Sequence, residues 1–203
     1  MIKRFIALVV TLIVTSSVLS AKDVAVFEVQ WKEGKVRQTR TFAIGFDEDA
    51  APYTVFNFKK LVKQKFYVKT KIHRAIRNYL IQGGDPLTKK NDRNVMGTGG
   101  PGYTLPAEIH LKHVRGAVAM GALPVKVNPK IESNGSQFYI CLTNIPTQDG
   151  KDTVFGHVAG GMDALMEISN AVVDTNNNPI NPIVITKAYL IDESKLGGQA
   201  QKF

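Results

Sequence analysis

Short runs in which apolar and polar residues alternate recur along most of the 203-residue chain. Alternation of this kind is typical of strands with one buried face, and the first two runs, joined by a turn at 32–35, predict a hairpin. Two other stretches, 53–63 and 161–168, place apolar residues three and four positions apart, as on one helix face. Many short strands with two isolated helices predict a single closed β-barrel or sandwich. The predicted strands are 24–31, 38–46, two short segments within 72–85, 114–121, 134–140, 153–158 and 183–191.

The stretch 72–85 carries polar side chains where its pattern is otherwise apolar. Arg74 and Gln82 both stand in predicted strands among isoleucine, leucine and tyrosine. A charge or an amide on such a surface costs free energy unless it is paired or used. One interpretation is that both side chains satisfy backbone groups within a barrel wall. The other is that they stand over an apolar pocket and meet a ligand there, and the stretch alone favours the first.

The chain begins with the pattern of a secretory signal peptide. Lys3 and Arg4 precede an apolar run at 5–14, and small residues follow it. That run is shorter than the roughly 20 apolar residues of a membrane span, so an uncleaved anchor is the less favoured alternative. We expect a periplasmic or secreted protein with no stable membrane insertion after cleavage. The expected boundaries are a leader of residues 1–20, cut near Ser20 and Ala21, and one domain of residues 21–203 with a short tail from about residue 193.

Composition and charge add three points. An apolar share of 44% and a charged share of 21% are ordinary for a soluble globular protein. The single cysteine, Cys141, excludes an intramolecular disulfide and is expected to be a buried, inert thiol. The net charge of +9 is concentrated in 59–77, where no carboxylate occurs. Since no nucleic-acid motif accompanies this basic stretch, we interpret it as a solvated surface and expect no nucleic-acid partner.

Five short motifs, taken together and in order, resemble those of the cyclophilins, and the resemblance runs from about residue 24 to 192. It implies a mainly β fold, a closed antiparallel eight-stranded barrel capped by two α-helices. It also implies a monomeric peptidyl-prolyl cis–trans isomerase that uses no cofactor or metal and acts on proline-containing polypeptides. The motifs are His-Arg-Ala-Ile at 73–76, Gln-Gly-Gly-Asp at 82–85, Gly-Thr-Gly-Gly-Pro-Gly-Tyr at 97–103, Asn-Gly-Ser-Gln-Phe-Tyr-Ile at 134–140, and Val-Phe-Gly-His-Val at 154–158 before Gly-Met-Asp at 161–163.

This chemistry needs no nucleophile. Resonance raises the barrier to peptide-bond rotation to about 18–20 kcal/mol, and an enzyme lowers it by binding the twisted amide selectively. By resemblance, Arg74 binds the substrate backbone and weakens this resonance, Gln82 holds a substrate carbonyl, and His73, on the opposite face of its strand, is structural. The glycine-rich loop at 97–102 is expected at the rim of the site. The implied substrate contacts are a proline slot of Tyr79, Leu80, Met120 and Tyr139, with Gln137 and the backbone near Gly121 and Ala122 binding the chain.

The sequence departs from the cyclophilin pattern on one wall of the expected slot. Thr147 stands where an aromatic residue is common, Gln148 where leucine is common, and Asp152 where histidine is common. We therefore expect weak cyclosporin binding and an altered preference around proline, with catalysis retained. Tyr79 and Tyr139 replace phenylalanine, and their hydroxyls need a partner or water. The alternative function is a non-catalytic module that binds proline-containing segments as a chaperone or assembly partner.

Overall fold

A computed structural model of the chain describes residues 22–124 and 126–199, so the predicted signal peptide lies outside the described residues. Nine strands form one sheet in which every neighbouring pair is antiparallel, in the order β3-β9-β1-β2-β8-β6-β7-β5-β4. The strands are β1 (Asp23–Glu33), β2 (Val36–Phe46), β3 (Lys71–Ile72), β4 (Arg74–Ile76), β5 (Leu80–Gly83), β6 (Ala117–Ala122), β7 (Ser133–Cys141), β8 (Val154–Gly160) and β9 (Ile183–Asp192).

The chain itself closes this sheet into a barrel. The strands at the two ends of the order, β3 and β4, are consecutive in sequence and are separated only by His73. On one side of this segment β3 pairs with β9, and on the other side β4 pairs with β5. The His73 backbone N–H also donates to the Gln82 carbonyl at 3.0 Å. Because β3 and β4 act as one bent strand, the fold is the predicted barrel of eight strands.

Two helices pack against the barrel close to their predicted positions, α1 at Pro52–Lys63 and α2 at Met162–Ser169. The free donors at the start of α1 are satisfied by a residue from a distant segment. Glu108 accepts bonds from the Tyr53 and Thr54 backbone N–H groups at 3.0 and 2.9 Å, satisfying donors that a helix leaves free. A third, four-residue helix, α3 (Leu196–Gln199), lies in the tail predicted from residue 193. Among the described residues, none of the helices combines the length and apolar character needed to cross a bilayer.

The barrel interior is an aromatic core centred on Phe58 of α1. Its ring lies 4.8 Å from the Phe155 ring, 5.0 Å from Tyr67 and 5.5 Å from Phe138, measured between centroids. Phe27 stacks on Phe42 at 5.2 Å in the same cluster. All of these side chains are fully buried or nearly so, and aromatic contacts of this geometry add to the free energy of burial. Helix α1 thus contributes Phe58 to the centre of the barrel core.

Strand alternation divides the residues of the barrel wall between this core and a second, outer apolar cluster. On β6, Val118 and Met120 point inward while Ala117 and Ala119 belong to the outer cluster. On β7, Phe138 and Ile140 point inward while Tyr139 and Cys141 belong to the outer cluster. The prediction that Met120 lines the proline slot is therefore wrong, because its side chain is 0% exposed inside the barrel.

The basic stretch at 59–77 is only partly the solvated surface that its charge indicated. Lys71 is 6% exposed, and its ammonium donates to the Asn91 side chain. Burial, followed by the nearby Arg93 charge, lowers the pKa of Lys71. Lys59 bridges two carboxylates, those of Glu48 at 2.6 Å and Asp23 at 3.3 Å. The sequence pattern missed these partners because all of them come from other segments of the chain.

Candidate active site

A row of directly opposed residues crosses four strands on the outer face of the barrel. Arg74 on β4 pairs with Gln82 on β5, Gln82 pairs with Tyr139 on β7, and Tyr139 pairs with Ala119 on β6. Neighbouring strands lie about 4.8 Å apart, so the row extends roughly 15 Å. Opposed residues in a sheet project from the same face. The fold therefore gathers Arg74, Gln82 and Tyr139 on one surface, although they are far apart in sequence.

The polar end of this row is a chain of hydrogen bonds between side chains. Arg74 Nη1 lies 3.4 Å from Gln82 Oε1, and Gln82 Nε2 donates to Gln137 Oε1 at 2.9 Å. Gln137 Nε2 in turn donates to the carbonyl oxygens of Gly97 and Gly99 at 2.9 and 2.8 Å. The glycine-rich loop thus borders the site, as expected, and acts through its backbone carbonyls. Since 3.4 Å is a long hydrogen bond, the Arg74 guanidinium keeps most of its donors for a ligand.

Gln137 has a different position from the one predicted. It was expected to bind the substrate chain, but it is only 3% exposed and its amide is committed to Gln82 and the loop carbonyls. Its place in the structure is to orient Gln82. Gly121 lies beside both side chains, since a Cβ there would stand 3.4 Å from Gln82 Nε2 and from Gln137 Cβ. The β6–β7 register shifts between Met120 and Ala122, which leaves the Gly121 backbone outside the regular pairing at this edge of the site.

The apolar end of the row is a packed cluster at the place predicted for the proline slot. Leu80 and Tyr139 are its central residues and pack with Ala119, Ile145 and Val154 in the outer cluster, while the partly exposed Tyr79 lies against its side. Three of the four side chains predicted to line the slot, those of Tyr79, Leu80 and Tyr139, are thus brought together. The structure excludes only Met120. An apolar surface of this kind, next to a few polar groups, has the usual composition of a ligand site.

A polar contact that the sequence did not identify holds the floor of the slot. The Tyr139 hydroxyl donates to Asp152 Oδ2 at 2.8 Å, which supplies the partner that its hydroxyl needs. Burial raises the pKa of Asp152, and the bond from Tyr139 partly offsets this. Burial and the adjacent carboxylate raise the pKa of Tyr139 far above its ordinary value, so Tyr139 is a donor at any working pH. Asp152 and Tyr139, which both depart from the cyclophilin pattern, are therefore joined by one hydrogen bond.

His113 supports the same ring from behind. Its imidazole stacks on Tyr139 with centroids 5.9 Å apart and an interplanar angle of 9°. Asp149 Oδ1 accepts a bond from the His113 backbone N–H at 2.8 Å and lies 3.1 Å from the ring Nδ1. The bond from the His113 backbone, followed by the contact with the ring, lowers the pKa of Asp149. Sequence spacing gave no indication of this support, because residue 113 precedes Asp149 by 36 positions.

The remaining predicted wall residues lie on the loop between β7 and β8. A 3₁₀ turn at Pro146–Gln148 carries Thr147 and Gln148, with Thr147 exposed and Gln148 partly buried. The Lys151 ammonium donates to the Thr147 carbonyl at 2.6 Å and so ties the loop together. This loop ends at Asp152, so the three departures from the expected pattern are joined through a single connection.

His73 and Cys141, which were predicted to have no direct part in the chemistry, are buried. His73 is 4% exposed, and neither of its ring nitrogens has a hydrogen-bond partner among the described residues. Burial, the largest effect on it, lowers the pKa of His73. Cys141 is fully buried, as predicted, and burial raises the pKa of its thiol to about 12.

Comparison with known proteins identifies the family. The model of the cyclophilin type peptidyl-prolyl cis-trans isomerases matches residues 33–190, well over half of the chain. The chain belongs to the cyclophilins. This membership makes the protein a peptidyl-prolyl cis–trans isomerase, and it agrees with the barrel and with the row from Arg74 to Tyr139.

Curated relatives carry related names. The chain is 37% identical over 157 residues to the peptidyl-prolyl cis-trans isomerase-like 4 of Gibberella zeae, a match that spans 71% of this chain but only 32% of that protein. It is 34% identical over 163 residues to the peptidyl-prolyl cis-trans isomerase-like 1 of Neurospora crassa, spanning 77% of this chain and 91% of the relative. The crystal structure of a Cryptosporidium parvum cyclophilin superposes with a TM-score of 0.69 at 26% identity, covering 84% of this chain and 98% of that one. The same cyclophilin has been crystallised in the presence of the dipeptide Ala-Pro.

The geometry of this cyclophilin suits isomerisation because the reaction breaks no bond. One row on neighbouring strands contains the Arg74 guanidinium with free donors, the oriented amide of Gln82 and the apolar cluster around Tyr139. Such groups can bind a twisted X-Pro amide more tightly than a planar one, which is the requirement for catalysis.

Proposed function

We propose that this cyclophilin binds proline-containing polypeptide segments across the row and accelerates rotation of the X-Pro bond there. The observation that carries the proposal is the direct pairing of Arg74 with Gln82 and of Gln82 with Tyr139 on one face. The proline ring would fill the slot over Leu80 and Tyr139, which would leave the peptide backbone within reach of Arg74. The Ala-Pro dipeptide used with the Cryptosporidium parvum relative supports a substrate of this class.

In this proposal Arg74 is the catalytic residue. Its planar fork presents several donors in fixed directions, and it remains charged at any working pH. Donation toward the substrate as the amide twists favours a pyramidal proline nitrogen and weakens the resonance that keeps the bond planar. Gln82, oriented by Gln137, would hold a neighbouring substrate carbonyl. Both contacts favour the twisted state over the ground state, which is the difference that accelerates a reaction.

The test compares Arg74→Ala with Arg77→Ala, since Arg77 is an exposed arginine on the adjoining turn and serves as the matched control. Isomerisation of a proline peptide is measured by exchange NMR or by a protease-coupled assay. We expect kcat/KM to fall by about 10²–10³-fold for Arg74→Ala, the range seen when one transition-state donor is removed. Arg74→Lys should recover only part of the activity, because an ammonium is a single point charge.

The controls separate catalysis from folding. The only hydrogen bond of the Arg74 side chain among the described residues is the long one to Gln82, so the variant should unfold at nearly the wild-type urea concentration. Near-wild-type activity in Arg74→Ala would refute the mechanism, and loss of folding would favour a structural role for this residue. If the wild-type protein binds proline peptides but leaves their exchange rate unchanged, the non-catalytic alternative is correct.

The polar loop from Thr147 to Asp152 supports two finer proposals. We infer weak cyclosporin binding, because Thr147 lacks the aromatic surface common at this position and is exposed in its 3₁₀ turn. Titration calorimetry with cyclosporin would test this, and Thr147→Trp should bind more tightly than the wild type. We also infer a residue preference beside proline that differs from the usual cyclophilin pattern, because Asp152 adds an acidic group at the slot.

Export and oligomeric state are further proposals that rest on sequence. The basic start and apolar run at 3–14 support cleavage near residue 20 and a role in the folding of exported proteins. Recovery of protein that still begins at Met1 from an exported fraction would contradict cleavage. We propose a monomer, and light scattering coupled to size-exclusion chromatography would contradict this if the mass were twice that of one chain.

A further inference from the structure

A polar cavity of about 390 Å³ opens beside the row, on the side of Arg74 away from the apolar slot. The side chains of Arg74 and Gln82 form its border with the proposed active site. The opposite wall comes from two distant segments, the 3₁₀ turn at Arg93–Val95 and the loop that leads to β9. The polar side chains that line the cavity include those of Arg74, Gln82, Arg93, Asn94, Asn176 and Asn178.

The lining is rich in hydrogen-bond donors and positive charge. Two guanidinium groups and several amides line the cavity, and among the described residues no Asp or Glu lines it. Arg93 uses three of its five N–H donors elsewhere, in bonds to Asp174 at 2.8 Å and to the carbonyls of Pro179 and Ile180 at 2.9 and 3.0 Å. These bonds fix the direction of the guanidinium and leave two donors. Planar forks of this kind are suited to carboxylate and phosphate oxygens.

The nearest carboxylates are already occupied. Asp85 is fully buried, and its oxygens accept from the Leu87 backbone at 2.7 Å and the Gly97 backbone at 2.5 Å. Asp174 is paired with Arg93. Below the cavity His73 is buried, and its unpartnered ring adds no negative charge. Asn178, also buried, donates to the His73 carbonyl at 2.7 Å and holds the loop against the barrel. The cavity is thus an organised, donor-rich site in which the Arg93 charge is paired with Asp174 and the Arg74 charge has no ion-pair partner among the described residues.

The distance from the slot sets which part of a peptide would reach this cavity. Arg74 and Tyr139 lie on strands separated by two spacings, about 10 Å. An extended peptide advances about 3.3 Å per residue, so with proline over Tyr139 and its amide within reach of the Arg74 side chain, a residue two or three positions away lies at the cavity beyond Arg74. A side chain at that position can enter the cavity while the backbone remains on the row.

We propose that this cavity is an anion-binding subsite that selects substrates with an acidic group two or three residues from proline. The inference rests on the proposed function, since it assumes that proline occupies the slot. A carboxylate of Asp or Glu and a phosphate on Ser or Thr share the required chemistry, and both can accept bonds from the remaining Arg93 donors and the amides, with the Arg74 charge nearby. The phosphate would bind more strongly because it has more charge and more acceptor oxygens.

The experiment uses a peptide series with one central proline flanked by alanine and glutamine. Glu or phosphoserine replaces one residue at a time, from three positions before proline to three positions after it, and kcat/KM is measured by exchange NMR. We expect Glu to raise kcat/KM roughly five- to tenfold at a position two or three residues from proline on one side, and phosphoserine to raise it more. The gain should shrink at high salt, since the subsite is partly open to solvent.

Variants test whether the gain comes from this cavity. Asn176→Asp adds a negative charge on an exposed loop residue. It should bring the kcat/KM of the Glu peptide, divided by that of the Gln peptide, closer to one. Arg93→Gln should act in the same direction, with urea unfolding to show that the loop remains intact. Arg37→Gln removes an exposed arginine at the far hairpin and is the matched control, so its ratio should equal that of the wild type.

The outcomes separate the two proposals. Turnover of the neutral peptide with no gain from Glu or phosphoserine at any position would overturn the subsite and leave the proposed function intact. Absence of turnover with any peptide would overturn the proposed function itself. A gain from phosphoserine alone would support the subsite and assign it to phosphate, whereas equal ratios in wild type and Asn176→Asp would show that the gain arises elsewhere.

Discussion

The bond from the Tyr139 hydroxyl to Asp152 makes a quantitative prediction. Tyr139→Phe removes the donor and leaves the ring in place, so the half-buried carboxylate loses its 2.8 Å partner without a change in packing volume. Hydrogen bonds to charged groups contribute about 1.5–3 kcal/mol. We therefore expect the variant to be less stable by that amount at pH 7. For a domain of this size the corresponding fall in Tm is roughly 3–12 °C.

The dependence on pH identifies the charged partner. The pKa of Asp152 is higher in the folded protein than in the unfolded chain, mainly because of burial. A folded carboxyl group with a raised pKa destabilises the protein above the unfolded pKa of about 3.9, and this effect disappears as the pH falls below that value. Below pH 3 the bond joins two neutral groups, and its loss should cost only about 0.5–1.5 kcal/mol. Asp152→Asn should be more stable than wild type at pH 7 and equal to it near pH 3.

Urea unfolding of wild type, Tyr139→Phe, Asp152→Asn and the double variant at pH 7 and pH 3 provides the assay. In the Asp152→Asn background the loss from Tyr139→Phe should be small at both pH values, since no charge remains to be solvated. An equal loss from Tyr139→Phe at pH 7 and pH 3 in the wild-type background would refute the assignment of Asp152 as a charged acceptor. A stabilising effect of Asp152→Asn that persists unchanged at pH 3 would refute the reasoning from burial.

Three further predictions concern the core and the supports of the site. Phe58→Ala should destabilise the protein by about 3–5 kcal/mol in urea unfolding, because this ring contacts most of the core aromatics; a loss under 1 kcal/mol would contradict its central place. Gly99→Ala places a Cβ against Asp85 Oδ1 and Leu87, so we expect the free energy of unfolding to fall by about 1–3 kcal/mol in the same assay. We also expect a lower kcat/KM, because the Gly99 carbonyl that holds Gln137 would be displaced. Unchanged stability and activity would contradict this. Asp149→Asn should destabilise the protein above pH 4 and lose its effect as the pH falls, because the folded-state pKa of Asp149 is depressed by His113 and the stabilisation requires the carboxylate; a difference from wild type that does not change with pH in thermal unfolding would contradict the assignment.

Local pattern was sufficient for the elements and for part of the site. Apolar residues at every second position predict the main strands, and apolar residues three and four positions apart predict α1 and α2. The same pattern shows Arg74 and Gln82 as polar residues on an otherwise apolar surface. The inward position of Met120 can be predicted from the sequence, because residues 117–121 alternate small and large side chains. In such a strand the large residues, Val118 and Met120, fill the barrel, and the small ones leave room outside it.

Other features could not be derived from local pattern because their partners are distant in sequence. Asp152 was identified as an unusual residue, but its bond to Tyr139 depends on how the loop after β7 returns to the sheet. Arg93 and Asn176 are about 80 positions apart and meet only because the β9 loop packs over the 3₁₀ turn. Lys71 resembled a surface lysine, and only the fold shows that it is covered. Sequence pattern predicts which face a residue occupies, whereas the partners across that face are set by topology.

The closure of the barrel at His73 has a consequence for how firmly Arg74 is held. Arg74 lies immediately after the point where the sheet meets itself, so β3 pairing with β9 fixes the chain on one side of it and its own pairing with Gln82 fixes it on the other. The catalytic guanidinium therefore projects from a backbone that is anchored at both ends of the sheet. Weakening the pairing of β3 with β9 should thus lower isomerase activity, although β9 contributes no residue to the row.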